Sequence, residues 1–210
     1  ILYSLYNFFN ECKLPKVNIY LDSPLAINTT EIFKMHTNEL NQDVAKVMMY
    51  DSDPFGFNSL FYIKSAEESK SLNTYKKPCV IISASGMMEA GRIKHHIANN
   101  IENPKNTILA VGYCSPTTLG ARILSGVDEI SVFGVSHKVK AKIEKIEAFS
   151  GHGDYKEMAD FISCQDSGKV KKVFLVHGEY ESAQFYANYI RKRGFDDIEI
   201  PEAGSTFDLK

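Results

Sequence analysis

The chain lacks any run of about 18 apolar residues, the length a membrane-spanning helix needs, so no helical membrane span is expected. It lacks a dominant charge: 24 Lys and Arg stand against 26 Asp and Glu, for a net charge of -2. Any anionic partner must therefore meet a local patch, not a globally basic surface. Only four cysteines occur, Cys12, Cys79, Cys114 and Cys164, far apart and without Cys-x-x-Cys spacing. They read as reduced, mostly buried thiols of a cytoplasmic protein, not as a disulfide framework. The Gly-Lys-Ser/Thr of a P-loop is missing, which argues against a nucleotide-driven motor. There is no His-x-His pair, no internal repeat and no low-complexity tract.

What is present suits one large or two small domains: 210 residues, 44% of them hydrophobic, enough for a core. The chain opens at Ile1 inside an apolar helical run (Leu2, Leu5, Phe8, Phe9), so it is expected to be a piece of a longer protein. Val17-Asn18-Ile19-Tyr20-Leu21 alternates like a strand and ends at Asp22-Ser23-Pro24, where Ser23 as cap and Pro24 at the first helical position start a helix. A long helix is expected to follow, with Ile32, Met35, Leu40, Val44, Val47 and Met48 turned inward, stopping at the breakers Asp51 to Pro54. Residues 55–78 read as a loop with a short helix. A continuous apolar strand, covered on both faces, begins at Pro78-Cys79-Val80-Ile81-Ile82. A helix over 89–101 and a strand over Ile108 to Val111 come next. This β-α-β alternation predicts an α/β fold, a parallel Rossmann-like sheet with helices on both faces.

Two histidine motifs stand near the C-terminus. In Leu175-Val176-His177-Gly178-Glu179 the histidine follows a buried strand, Val173 to Val176. Ser150-Gly151-His152-Gly153-Asp154 precedes a helix with Tyr155, Met158, Ala159 and Ile162 on one face. Open α/β sheets gather ligands at such strand ends. Ser83-Ala84-Ser85-Gly86-Met87-Met88-Glu89-Ala90-Gly91-Arg92 also leaves a strand and opens a helix. It is either an ordinary tight turn or a backbone cradle for a phosphate at a helix N-terminus. In Gly112-Tyr113-Cys114-Ser115-Pro116-Thr117-Thr118-Leu119-Gly120, the Thr118 hydroxyl either caps the next helix or binds an anion. Asp154 either begins its helix, favoured by the dipole, or orients a histidine. His95 and His96 lie about 100° apart on a helix, so one should pack and the other face water; His36 and His137 read as structural. Lys138, Lys140 and Lys142 alternate with Val139, Ala141 and Ile143. As a strand they would present one basic face, joined by Lys145, Lys171, Lys172, Arg191, Lys192 and Arg193, which either tracks phosphates or is simply solvated. Tyr113 and Tyr155, beside these motifs, are either base-stacking residues or rim and core residues.

Taken in order, five segments resemble the β-CASP branch of the metallo-β-lactamase-fold nucleases. They are Asp22-Ser23-Pro24-Leu25-Ala26, the Ser83 to Arg92 turn, Gly112-Tyr113 with Thr118-Leu119-Gly120, Ser150 to Asp154, and Val176-His177-Gly178-Glu179. The resemblance implies a β-CASP domain over residues 1–148, N-terminally incomplete, and the C-terminal segment of a metallo-β-lactamase domain over 149–210. It implies a catalytic role for His152, beside the scissile phosphate, and a metal-ligand role for His177 on one of two Zn2+ ions. Neutral imidazole suits zinc, and an imidazole with a pKa of about 6.5 can act as an acid. Ser150, Ser85, Gly86 and Thr118 become candidate substrate contacts. The expected substrate is single-stranded RNA, and the resemblance implies a possible homodimer, an assembly common in the family. The other zinc ligands of the family have no match here, so two Zn2+ are expected in the full-length parent and none in this piece. The leading expectation is a zinc-dependent ribonuclease hydrolysing phosphodiester bonds in RNA processing or decay. The alternative is a non-catalytic RNA-binding or scaffold subunit of the same fold.

Overall fold

The computed structural model describes residues 1–146, 148–149 and 153–208, in two compact units, Ile1–Ser150 and Gly151–Lys210. In the first unit, helix α1 (Leu2–Asn10) is held by buried Tyr6, whose hydroxyl donates to Asp51 at 2.7 Å. Strand β1 (Asn18–Asp22) is the centre of a parallel three-stranded sheet, flanked by β2 (Leu60–Tyr62) and β3 (Cys79–Ser83). Ile19 pairs with Leu60 on one side and Val80 on the other. A second parallel pair joins β4 (Thr107–Ala110) to β7 (Lys142–Lys145). Between them in sequence, β5 (Glu129–Val132) and β6 (Val135–Lys138) form an antiparallel hairpin. The main core packs Met88, Ile97, Ile101, Ala110, Leu119, Ile123, Ile130 and Val132, and a smaller one packs Tyr20, Ile63 and Leu72. The α/β class and the parallel pairings agree with the sequence.

Ser23 does cap α2 (Pro24–Met35), accepting from the Ala26 amide. The single long helix, however, is three pieces: α2, a 3-10 turn at Thr37–Glu39, and α3 (Gln42–Val47). Leu40 is extended and the Asn41 side chain accepts from the Val44 amide, so a fresh N-cap breaks the run. Ile32 and Met35 point outward, 54% and 72% exposed, because Ile27 and Thr30 carry the buried stripe of α2. Thr30 can be buried because its hydroxyl donates to the Ala26 carbonyl. Residues 55–78 hold the expected short helix, α4 (Ala66–Ser71), opened by a complete Ser65–Glu68 capping box, and also an unexpected strand, β2. A three-residue strand is too short to show a period. Strand β3 is not covered on both faces, since Val80 is exposed. The Lys138 to Lys142 stretch is no single strand. It leaves β6, its Lys140 and Ala141 amides both donate to the Ile101 carbonyl, and it joins β4 in the other pair as β7. Its alternation nevertheless survives, with Lys138, Lys140 and Lys142 exposed and Ala141 buried.

In the second unit, α7 (Tyr155–Ile162) and α8 (Tyr180–Arg191) accompany the parallel pair β8 (Val173–Phe174) and β9 (Ile198–Glu199), around Ala159, Ile190 and Phe195. Helix α6 (Leu119–Leu124) and α5 (Ile93–Asn100) belong to the first unit. The strand ending at His177 is shorter and less buried than expected: β8 is half-buried and Val176 is exposed. Among the described residues β8 pairs only with β9, which leaves much of it in water. Met158 likewise faces solvent. The cysteines are all free, but Cys12 and Cys164 are exposed, because both lie in the turns that follow helices.

Gly120 is where two loops touch. A Cβ there would lie 2.6 Å from Cys114 Sγ and 2.9 Å from the Met87 carbonyl oxygen, whereas one at Gly112 would meet nothing within 4 Å. Gly120→Ala should therefore lower the unfolding free energy by about 1–3 kcal/mol through overpacking, and Gly112→Ala should change it by less than about 0.5 kcal/mol. Urea unfolding followed by circular dichroism reads both; equal midpoints would refute the close approach.

Candidate functional site

The C-terminal ends of β1 and β3 converge on one buried carboxylate. Asp22 is 0% exposed and accepts from Ser69 Oγ at 2.5 Å, Arg92 Nη1 at 2.6 Å and His96 Nε2 at 2.6 Å. Its own carbonyl accepts from Ser83 Oγ at 2.9 Å, tying β1 to β3 by side chain as well as backbone. Arg92 also donates to the Ile63 and Lys64 carbonyls, at 3.1 and 3.0 Å. Burial alone would raise the Asp22 carboxyl; the hydrogen bonds from Ser69, Arg92 and His96, with the charge of His96, outweigh it and hold the carboxyl below the usual range. With Nε2 directed at the carboxylate, His96 Nδ1 is the ring atom left buried without a partner. His95, its neighbour, is exposed, as the helix geometry predicted.

The Ser83 to Arg92 segment is a tight loop before α5, not the start of that helix. Met88 and Gly91 both take left-handed backbone, φ 64° and 82°. A Cβ on Gly91 would sit 2.4 Å from the Ala84 carbonyl oxygen, so only glycine fits. Met88 is sunk in the main core, Met87 O accepts from the Gly120 amide at 3.1 Å, and the Glu89 carboxylate accepts from the Leu119 amide. Helix α5 starts only at Ile93, whose amide already donates to Ala84 O at 3.3 Å. The expected placement of Ser85 and Gly86 at a helix N-terminus is thus corrected. They lie on the loop's outer turn, where Ser85 is half-buried with Oγ accepting from the Ala90 amide and Gly86 is exposed.

Thr118 takes the first of its two expected roles. It caps α6, accepting from the Ala121 amide while donating to Ser115 O at 2.7 Å. The loops carrying Ser85, Gly86 and Thr118 are packed together by the Gly120–Met87 contact. In the second unit, Asp154 is an exposed N-cap that accepts from the Lys156 and Glu157 amides, which hold its carboxyl below the usual range. His177 is exposed and left-handed, φ 69°, ahead of Gly178 at φ 121°. Histidine is among the few side chains that tolerate this region. His152 and Ser150 lie outside the described residues. Tyr155 packs edge-on against Phe185 and Tyr189, so it is a rim and core residue, whereas Tyr113 is exposed. Lys172 and Arg193 are paired with Asp197 and Asp160, which shrinks the basic cluster.

A zinc site does not fit the described residues by themselves: they contain no group of three or more His, Cys, Asp and Glu that could hold a metal ion. His177 is a single candidate donor.

Residues 1–123 match the model of the Beta-Casp domain. The chain belongs to the β-CASP family. Residues 136–201 of this β-CASP chain match a second model, the Zn-dependent metallo-hydrolase RNA specificity domain. The chain is 30% identical over 194 residues to Ribonuclease TTHA0252 of Thermus thermophilus, covering 92% of this chain and 43% of that protein. It is 34% identical over 186 residues to an RNase J-like protein of Methanocaldococcus jannaschii, covering 88% and 41%. Against Cleavage and polyadenylation specificity factor 73 of Drosophila melanogaster it is 29% identical over 167 residues, 79% and 23%. The chain therefore spans less than half the length of these relatives. Sequence reasoning missed Asp22, Arg92 and His96 as a unit. Their signal was a carboxylate at a strand end inside one motif and a cation closing another.

Asp22→Asn keeps the shape but turns an N–H2 group toward donors, and should lower the unfolding free energy at neutral pH by about 3–5 kcal/mol. A carboxyl held below its ordinary value stabilises the fold above that value and ceases to do so as pH falls through its folded pKa. The gap between native and Asp22→Asn protein should therefore narrow only in acid, below about pH 3.9. Urea titrations at stepped pH check both points, and a gap independent of pH would refute the charge argument.

Proposed function

We propose that this chain is the β-CASP and RNA-specificity part of a zinc-dependent ribonuclease that hydrolyses RNA phosphodiester bonds in RNA processing or decay. The observation that carries the reading is the pair of family models in consecutive order, one of β-CASP type and one described as the RNA specificity domain of Zn-dependent metallo-hydrolases. Relatives named as ribonucleases support the reaction class. Within this reading His177, in the turn that follows β8, is a zinc ligand; further ligands lie beyond the described residues, and zinc belongs to the whole protein. Bound zinc supplies Lewis-acid stabilisation of charge at phosphorus. His152 is the catalytic residue beside the scissile phosphate. Ser85, Gly86, Thr118 and Ser150 lie along the substrate path, and Asp154 orients the His152 segment through its cap. The substrate is single-stranded RNA, the assembly a homodimer, and the location cytoplasmic.

Zinc content and cleavage of labelled RNA, measured on the full-length protein, test this directly. About two zinc ions per chain are expected, with cleavage reduced at least about 100-fold in His177→Ala and in His152→Ala, and zinc reduced only in the former. A metal-free full-length protein that binds RNA without cutting it would replace this reading with the scaffold one.

A further inference from the structure

The β5–β6 hairpin reverses through Phe133 and Gly134, between the paired residues Val132 and Val135. Both turn residues are left-handed, φ 53° and 78°. A two-residue hairpin turn of this kind favours Asn, Asp or Gly at its first position, and phenylalanine there is strained. The ring is not used to fill the core: Phe133 is 56% exposed while Val132 beside it is 1% exposed. It rests instead on the first turn of α5. The His95 ring lies 4.6 Å from it, centroid to centroid, at an interplanar angle of 31°, and Lys94 Nζ lies 5.1 Å from its centroid. Helix α5 follows directly on the Ser83 to Arg92 loop.

We infer that Phe133, with His95 and Lys94, is a stacking platform for one unpaired base of a single-stranded RNA. This rests on the RNA reading above. An exposed aromatic face offers every base a stacking surface, and a cation on a flexible stem beside it meets the adjoining phosphate. The Lys94 ammonium and the His95 imidazole suit a flat base on an anionic backbone better than an aliphatic protein segment. The strained turn holds the ring outward at the hairpin tip, where side-chain entropy lost on stacking is small. The Asp22 network fixes the same helix from its other side through His96.

The test is the affinity of the full-length protein for fluorescent oligouridine and oligoadenylate, read by anisotropy with cleavage blocked by chelation. Phe133→Asn supplies a side chain the turn prefers, so the thermal midpoint should hold or rise while affinity falls about 5- to 150-fold. Phe133→Tyr should stay within about twofold of native. Lys94→Ala should reduce the slope of log affinity against log salt by about 0.7, one phosphate contact on a single strand. Native RNA binding left unchanged in Phe133→Asn would overturn the platform and spare the RNA reading. So would a midpoint that falls together with affinity, which would make the ring a hairpin anchor. A native protein that binds neither oligonucleotide would overturn the RNA reading itself.

Discussion

The buried carboxylate of Asp22 is the constraint on which the first unit depends. A charge with no solvent exposure is tolerable only when its lone pairs are met by donors, and here three side chains meet them within 2.6 Å. Those donors come from three different places: Ser69 from α4, Arg92 from the loop before α5, His96 from α5 itself. The Asp22 interaction therefore fixes the distance and rotation of these elements about the end of β1. Arg92 extends it to the segment after β2 through the Ile63 and Lys64 carbonyls. Removing any one donor would leave part of a buried charge unmet, so the network is held together as a unit.

From that anchor the loop between β3 and α5 is fixed at its C-terminal end and at its middle. Arg92 holds its C-terminal end, and Met88, in left-handed backbone, drives its middle into the main core. Gly91 and Gly120 remove the two side chains that would collide with neighbouring backbone. The outer turn at Ser85 and Gly86 is what remains at the surface, resting on an apolar core and a buried ion pair. A rigid loop at the C-terminal end of a parallel sheet is a position from which an α/β protein engages a ligand. The hairpin carrying Phe133 is braced against the same helix, so loop and platform share one support.

The two units contribute unlike chemistry. The first offers backbone, hydroxyl, aromatic and cationic groups, the repertoire for holding a polyanion. The second presents His177 in left-handed backbone after β8, an exposed imidazole that belongs to no group of three or more His, Cys, Asp and Glu able to hold a metal among the described residues. Family membership makes these parts of one kind of protein, since the β-CASP and RNA-specificity models follow one another along the chain.

Much was legible in sequence because it is local. The Ser23-Pro24 helix start, the apolar run of β3, the helical spacing after Asp154 and the angle separating His95 from His96 depend on neighbours within one turn or one strand. The order of five short motifs carried the family, since each motif is written in adjacent residues. The break of the second helix was legible in principle at Asn41 but lost to an apolar period that ran through it. Strand β2 was invisible, because three residues show no period and its identity comes from pairing with Ile19, Tyr20 and Leu21. Tertiary structure alone decided that Asp22 meets residues 70 and 74 positions away, that Ser85 and Gly86 precede the helix instead of capping it, and that Ile32 faces water. Those outcomes depend on which surfaces meet across long chain separations, where burial and charge pairing outweigh any preference written into adjacent residues.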